Sequence, residues 1–171
     1  MKVLVTVASK HGATTEIGQA IAATLTEEGH HAEFREPIDV HDIGAYDAVI
    51  LGSGVYAGHW IESAKEFAEY HAAALREMPV WLFSSGPTGD EPRGPGDPVD
   101  LPKVVELVKP RGHRMFGGAL LKERMGFAER TIIKLVGAPY GDFRNWDEIR
   151  AWSREIAAVL TREETALPVP A

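Results

Sequence analysis

The N-terminal segment constrains the fold most, because it places a strand, a short polar turn and a helix in immediate succession. Residues Lys2–Ala8 are apolar and rich in β-branched side chains, which is typical of a strand buried on both faces. Residues Thr15–Leu25 carry apolar side chains at four-residue spacing, among them Ile17 and Ile21, which predicts a helix with one apolar face. The turn between them, Ser9–Thr14, combines hydroxyl side chains with a single glycine.

A turn of this kind predicts a pocket for an anion. The N–H groups at the start of a helix lack intrahelical partners, the positive end of the helix dipole lies there, and the hydroxyls of Ser9 and Thr14 add donors. A phosphate group suits such a pocket. The P-loop pattern of a glycine, four residues and Gly-Lys-Ser/Thr is absent, so the sequence does not indicate an NTPase.

Strands and helices alternate along the rest of the chain. This alternation predicts an α/β fold with a doubly wound parallel sheet and helices on both faces. The further predicted strands are His31–Arg35, Tyr46–Ser53, Pro79–Ser84 and His113–Leu120, and the further predicted helices are Trp60–Leu75 and Trp146–Leu160. Ligands of such sheets bind beyond the carboxyl ends of the strands.

Two segments interrupt the alternation. Gly86–Pro102 is rich in glycine, proline and aspartate, which predicts a long loop. Leu121–Val136 has apolar residues at helical spacing with basic residues between them, which predicts an extra amphipathic helix. We expect one domain over residues 1–161 and a flexible tail over residues 162–171.

The turns after the first, third and fourth predicted strands form a coherent set. The second, Ser53–Trp60, mixes glycines with two aromatic residues, Tyr56 and Trp60, either of which could stack on a flat ring. The third, Ser84–Asp90, is polar and glycine-rich. Gly52–Ala57 also matches a dinucleotide fingerprint, but it follows the third strand and lacks the acidic residue that holds a ribose. A flat heterocycle with a phosphate tail suits the three turns together.

The first turn resembles that of the flavodoxin family, which reads Ser/Thr-x-Thr-Gly-x-Thr and holds the phosphate of FMN. Here His11 replaces the middle hydroxyl, and it could either donate to the phosphate when protonated or only cap the turn. The resemblance implies non-covalent FMN and a five-stranded sheet of order 2-1-3-4-5. The FMN-binding residues that it implies are Ser9, Lys10, His11, Gly12, Ala13, Thr14, Ser53, Gly54, Val55, Tyr56, Gly58, His59, Ser84, Ser85, Gly86, Pro87, Gly89 and Asp90.

A second resemblance is to the flavodoxin-like menaquinone-dependent protoporphyrinogen oxidases. It rests on Phe116–Leu120, on the amphipathic insert that follows, and on Tyr140–Asp147 before the last helix. It implies an FMN-dependent oxidoreductase that acts on a porphyrinogen-like substrate with a quinone acceptor, and no catalytic side chain beyond the flavin itself. Two alternatives stay open, namely an electron-transfer flavodoxin that docks a redox partner protein, and a flavodoxin-fold protein that has lost flavin binding.

Composition narrows the choice of partners. The formal net charge of -7 argues against nucleic acid, because no basic stripe is available to neutralise phosphates. The absence of cysteine excludes disulfides, iron–sulfur clusters and thiolate metal sites, and we expect no bound metal. We expect a cytoplasmic protein, in which the insert faces solvent, a quinone or a membrane surface.

Overall fold

The computed structural model describes residues 1–86, 97–136 and 140–166. The strands are β1 (Lys2–Ala8), β2 (His31–Arg35), β3 (Ala48–Tyr56), β4 (His59–Trp60), β5 (Val80–Gly86), β6 (Gly112–Gly117), β7 (Ala119–Leu120) and β8 (Gly141–Asp142). The α-helices are α1 (Ala13–Glu27), α2 (Glu62–Tyr70), α3 (Ala72–Leu75), α4 (Leu101–Val108), α5 (Phe127–Val136) and α6 (Trp146–Ala166), and short 3-10 turns cover Pro37–Asp39 and Lys122–Arg124.

The central sheet has its parallel strands in the order β2-β1-β3-β5-β6. Counted along the chain without the short strand β4, this is the order 2-1-3-4-5, so the predicted fold class is confirmed. Strand β4 pairs antiparallel with the end of β3, and β7 pairs antiparallel with β8 in a separate two-stranded sheet.

Helices cover both faces of the sheet, and each face has its own core. Because side chains alternate across a strand, Val3 and Val5 of β1 pack with helices α1 and α6, whereas Leu4 packs with α2, α3 and α4. All three of these side chains are fully buried. Burial on both faces explains why the strands read as nearly continuous apolar runs. It also leaves the carboxyl ends of the strands as the open edge of the sheet.

Several predicted boundaries were wrong. The helix predicted over Trp60–Leu75 is two helices, because α2 ends at Tyr70 and α3 begins at Ala72. The strand predicted over His113–Leu120 stops at Gly117, and Ala119–Leu120 turns away to form β7. The insert predicted as one helix is a 3-10 turn followed by α5.

Parts of the two segments predicted to be irregular belong to regular elements. Gly86 belongs to β5, and α4 already begins at Leu101, inside the predicted loop 86–102; residues 87–96 lie outside the described residues. Helix α6 continues to Ala166, beyond the predicted start of the tail at Arg162, and residues 167–171 lie outside the described residues. None of the helices within the described ranges combines the length and apolar character that crossing a membrane requires.

Candidate functional site

A cleft of about 390 Å³ opens at the carboxyl edge of the sheet, a volume in the range of small-molecule sites. It is bounded by the turn after β1, the end of β3, the end of β5 and the insert. Its lining residues are Ser9, Lys10, His11, Ala13, Thr14, Gly54, Val55, Tyr56, Ala57, Ile61, Ser85, Gly86, Gly118, Ala119, Leu120 and Met125. The structure thus brings together parts of all three predicted turns.

The first turn presents free backbone donors to the cleft. Gly12 adopts φ +82°, a left-handed conformation that glycine accepts without strain, and it precedes α1. Its N–H donates to Ser9 Oγ at 3.0 Å, and the first intrahelical bond runs from Glu16 N–H to Gly12 O. The N–H groups of the intervening first turn have no intrahelical partner, and among the described residues no side chain caps the helix. The expected anion pocket therefore has its donors in place.

His11 contributes a buried polar atom to this pocket. Its Nε2 atom makes no hydrogen bond with any residue that the structure describes, although it lies 3.4 Å from Glu129 Oε1. Buried polar atoms normally have partners, so this nitrogen fits an anion bound in the turn. Contact between His11 and a phosphate stays a prediction.

The second predicted turn is a tight β-hairpin. Strand β3 continues through Tyr56, and Ala57 and Gly58, with φ +50° and +81°, turn the chain into β4. Tyr56 lines the cleft, whereas Trp60 is only 2% exposed and belongs to the core, so Tyr56 is the aromatic residue available for stacking on a ring. Gly58, next to Ala57 at the tip of the hairpin, is not one of the described residues that line the cleft.

Three polar residues predicted to bind the cofactor instead support the hairpin. Ser53 is fully buried, and its Oγ accepts from Ile61 N–H at 2.9 Å and donates to Gly54 O. Ser84 is also fully buried, and its Oγ accepts from Trp60 Nε1 at 2.8 Å. His59 Nδ1 lies 3.1 Å from the Asp100 carboxylate, and neither lines the cleft.

The described part of the third predicted turn is the end of β5. Ser85 and Gly86 are the last two strand residues, and both line the cleft. Pro87, Gly89 and Asp90 lie outside the described residues.

The insert and the short strand β7 before it supply a wall of the cleft whose residues were not among the predicted site residues. Leu120 and the buried Met125 line the cleft from this side, next to Gly118. Gly118 N–H donates to Gly86 O and its carbonyl accepts from Phe143 N–H at 3.0 Å, which ties the insert to the sheet. Neither Gly117 nor Gly118 has room for a Cβ atom in the structure. Two adjacent glycines at the end of a predicted strand were therefore the sequence signal for close packing at this position.

Ion pairs hold the insert and its return segment over the first turn. Arg124 contacts the Glu16 carboxylate of α1 at 2.6 Å, and Arg144 contacts the same carboxylate at 2.5 Å. The hydrogen bond from Arg144 is the main reason that the pKa of Glu16 lies below its ordinary value. Glu129 of α5 contacts Lys10 at 2.7 Å, and this contact lowers the pKa of the Glu129 carboxyl.

Similarity to known proteins identifies the family of the chain. Residues 4–145 match the family model described as the flavodoxin domain. The chain belongs to this family. Membership implies FMN as the cofactor, and the uncapped first turn and the unpartnered His11 nitrogen fit its phosphate.

Individual relatives agree with the family. The chain is 28% identical to protoporphyrinogen IX dehydrogenase [quinone] of Escherichia coli strain K12, over 92% of this chain and 95% of that protein. Among solved structures, a flavodoxin from the domain Archaea has a TM-score of 0.66 at 14% identity, covering 94% of this chain and 99% of that one. The flavodoxin of Streptococcus pneumoniae TIGR4 has a TM-score of 0.65 at 17% identity, covering 93% and 99%. These structures show the fold.

Proposed function

We propose that this flavodoxin-domain protein is an FMN-dependent oxidoreductase that oxidises a porphyrinogen-like substrate and passes the electrons to a quinone. The similarity to protoporphyrinogen IX dehydrogenase [quinone] supports this function, since it spans nearly the whole of both chains. A reduced tetrapyrrole macrocycle gives up hydrogen as it becomes aromatic, and a quinone accepts two electrons and two protons.

The observation that carries the proposal is the apolar wall that the insert adds to the cleft. Met125 comes from the insert, Leu120 comes from β7 directly before it, and Val55 and Tyr56 come from the end of β3. An apolar enclosure of this kind suits a flat ring and an apolar small-molecule substrate. It suits the docking of a polar surface of a partner protein less well.

FMN would be held by the first turn through its phosphate. The donors are the N–H groups at the start of α1 and the hydroxyl of Thr14. Thr14 lines the cleft and is only 5% exposed. A Cβ atom at Gly54 would lie 3.0 Å from Thr14 Oγ1, so glycine leaves room for this hydroxyl to face the ligand.

The remaining lining residues orient the ring and exclude water. The Tyr56 side chain, 38% exposed, offers an aromatic face, and the Ser85 hydroxyl lies at the end of β5, close to the cleft floor. When bound, FMN supplies the two-electron chemistry, and the protein supplies binding, orientation and the electrostatic environment. We assign no side chain as a catalytic acid or base.

Turnover by the FMN-loaded protein tests this proposal. Under anaerobic conditions, the protein with a porphyrinogen and a soluble menaquinone analogue should form porphyrin at a rate proportional to protein concentration, followed by porphyrin fluorescence. Free FMN at the same concentration is the control, because flavins can oxidise porphyrinogens without a protein. Porphyrin formation no faster than in this control would contradict the proposal and leave electron transfer to a protein partner as the alternative.

A further inference from the structure

The carboxylate of Glu129 lies against the predicted phosphate site and is held there from both sides. Its Oε2 atom accepts from Gly126 N–H at 3.1 Å, at the start of α5. Its Oε1 atom lies 2.7 Å from Lys10 Nζ and 3.4 Å from His11 Nε2. The hydrogen bond from Lys10 keeps the pKa of this carboxyl below its ordinary value. Glu129 is therefore a fixed negative charge at neutral pH.

Both side chains that Glu129 contacts belong to the turn that would hold a phosphate. Lys10 Nζ also lies 3.8 Å from the centroid of the Tyr56 ring, which places its charge at the cleft. His11 Nε2 is buried and makes no hydrogen bond with the residues of the described ranges. A phosphate in the first turn and the Glu129 carboxylate would draw on the same two donors.

The other charges around this turn are already paired. Glu16 is engaged by both Arg124 and Arg144, and Arg124 also donates to His11 O at 3.5 Å. These pairs fix the outer side of the turn. Glu129 is the carboxylate that faces Lys10 and His11.

We propose that Glu129 is a specificity-determining residue, whose carboxylate competes with the phosphate of the ligand and limits how strongly the site prefers FMN to riboflavin. This inference rests on the proposed FMN site. Two like charges a few ångströms apart near a protein surface repel appreciably, so removing one of them strengthens binding of the other. Riboflavin carries no phosphate and is insensitive to the charge.

The test compares Glu129→Gln with Glu123→Gln. Both substitutions remove one negative charge and keep the side-chain size, but Glu123 is an exposed residue of the neighbouring 3-10 turn. Dissociation constants for FMN and for riboflavin are measured by flavin fluorescence at low ionic strength, after thermal unfolding has shown that each variant is folded.

We expect Glu129→Gln to bind FMN about three- to tenfold more tightly, with riboflavin affinity changed by less than about twofold. Glu123→Gln should leave both constants near the wild-type values. An unchanged or lower FMN-to-riboflavin preference in Glu129→Gln would overturn the inference while the FMN site stands. Failure of the wild-type protein to bind either flavin would instead overturn the proposed function, and the inference with it.

Discussion

Gly117 shows how a single residue keeps the insert in position beside the cleft. A Cβ atom at this position would lie 2.1 Å from the carbonyl oxygen of Phe143, which is backbone and cannot rotate away. Gly112 lies in the same strand, β6, and a Cβ there would meet only Trp81 Cδ1 at an ordinary 3.8 Å. Close packing therefore requires glycine at position 117, whereas position 112 has room for a Cβ atom.

Alanine substitutions at these glycines should separate the two cases. Gly117→Ala forces the segment around Phe143 away from β6, and we expect the free energy of unfolding to fall by about 2–4 kcal/mol. Gly112→Ala should change it by less than about 1 kcal/mol. Urea unfolding followed by circular dichroism measures both. Equal losses in the two variants would show that the close approach at Gly117 does not matter.

Individual site residues could be predicted where a turn motif specified them. Ser9 and Thr14 fell on the cleft as expected, because a strand that runs directly into a helix leaves its turn at the open edge of the sheet. Ser53 and Ser84 do not line the cleft. They were predicted to do so because a polar residue near the end of a strand is typical of a loop. Their hydroxyls instead satisfy buried N–H groups of the hairpin, which only the three-dimensional contacts reveal.

At the scale of elements, Arg144 fastens the segment before α6 to the start of α1. Its side chain is 5% exposed, and its guanidinium contacts the carboxylates of Glu16 and Asp142 and the carbonyl of Ala13. Hydrogen bonds from Arg144 are the main cause of the lowered pKa values of both carboxyls. A folded-state pKa below the unfolded value stabilises the fold above the unfolded pKa, and this contribution is lost as the pH falls through the folded pKa.

Arg144→Met should therefore be less stable in a pH-dependent way. At pH 7 we expect a loss of roughly 2 kcal/mol, because two carboxylates lose a largely buried partner. The difference from the wild type should narrow as the pH falls below the ordinary pKa values of 4.5 for Glu16 and 3.8 for Asp142. Thermal or urea unfolding across pH 2.5–7, chosen to span roughly these values, measures it.

Arg150→Met is the matched control for this prediction. Arg150 pairs with Asp147, whose side chain is 94% exposed, and surface pairs of this kind contribute about 0.5 kcal/mol or less. A difference between Arg144→Met and the wild type that does not vary with pH would contradict the assigned role of Arg144.

Strands and helices could be predicted where the spacing of apolar residues was regular. The strands and helix α1 follow clear apolar patterns, whereas α4 was missed because it directly follows a segment rich in glycine, proline and aspartate. Its buried residues Leu101, Val104 and Val108 are spaced as one helix face, so a signal was present in the sequence. The hairpin after β3 read as a loop because its second strand is only two residues long.

Across the whole molecule, the parallel sheet and the place of the cleft could be predicted together, whereas the strand order came from the resemblance to the flavodoxin family. Alternating strands and helices imply a parallel sheet, and the open carboxyl edge of such a sheet is where ligands bind. Leu120 and Met125, which form the apolar wall, were not among the predicted site residues. Leu120 lies in β7, and its pairing with β8 on the far side of the insert is a contact that apolar periodicity does not specify.

A fluorescence titration of FMN with the flavin-free protein measures whether this cleft binds the cofactor. We expect saturable quenching with one FMN per chain, and a protein that shows flavin absorption bands once loaded. A colourless protein that leaves the fluorescence of added FMN unchanged would contradict this expectation.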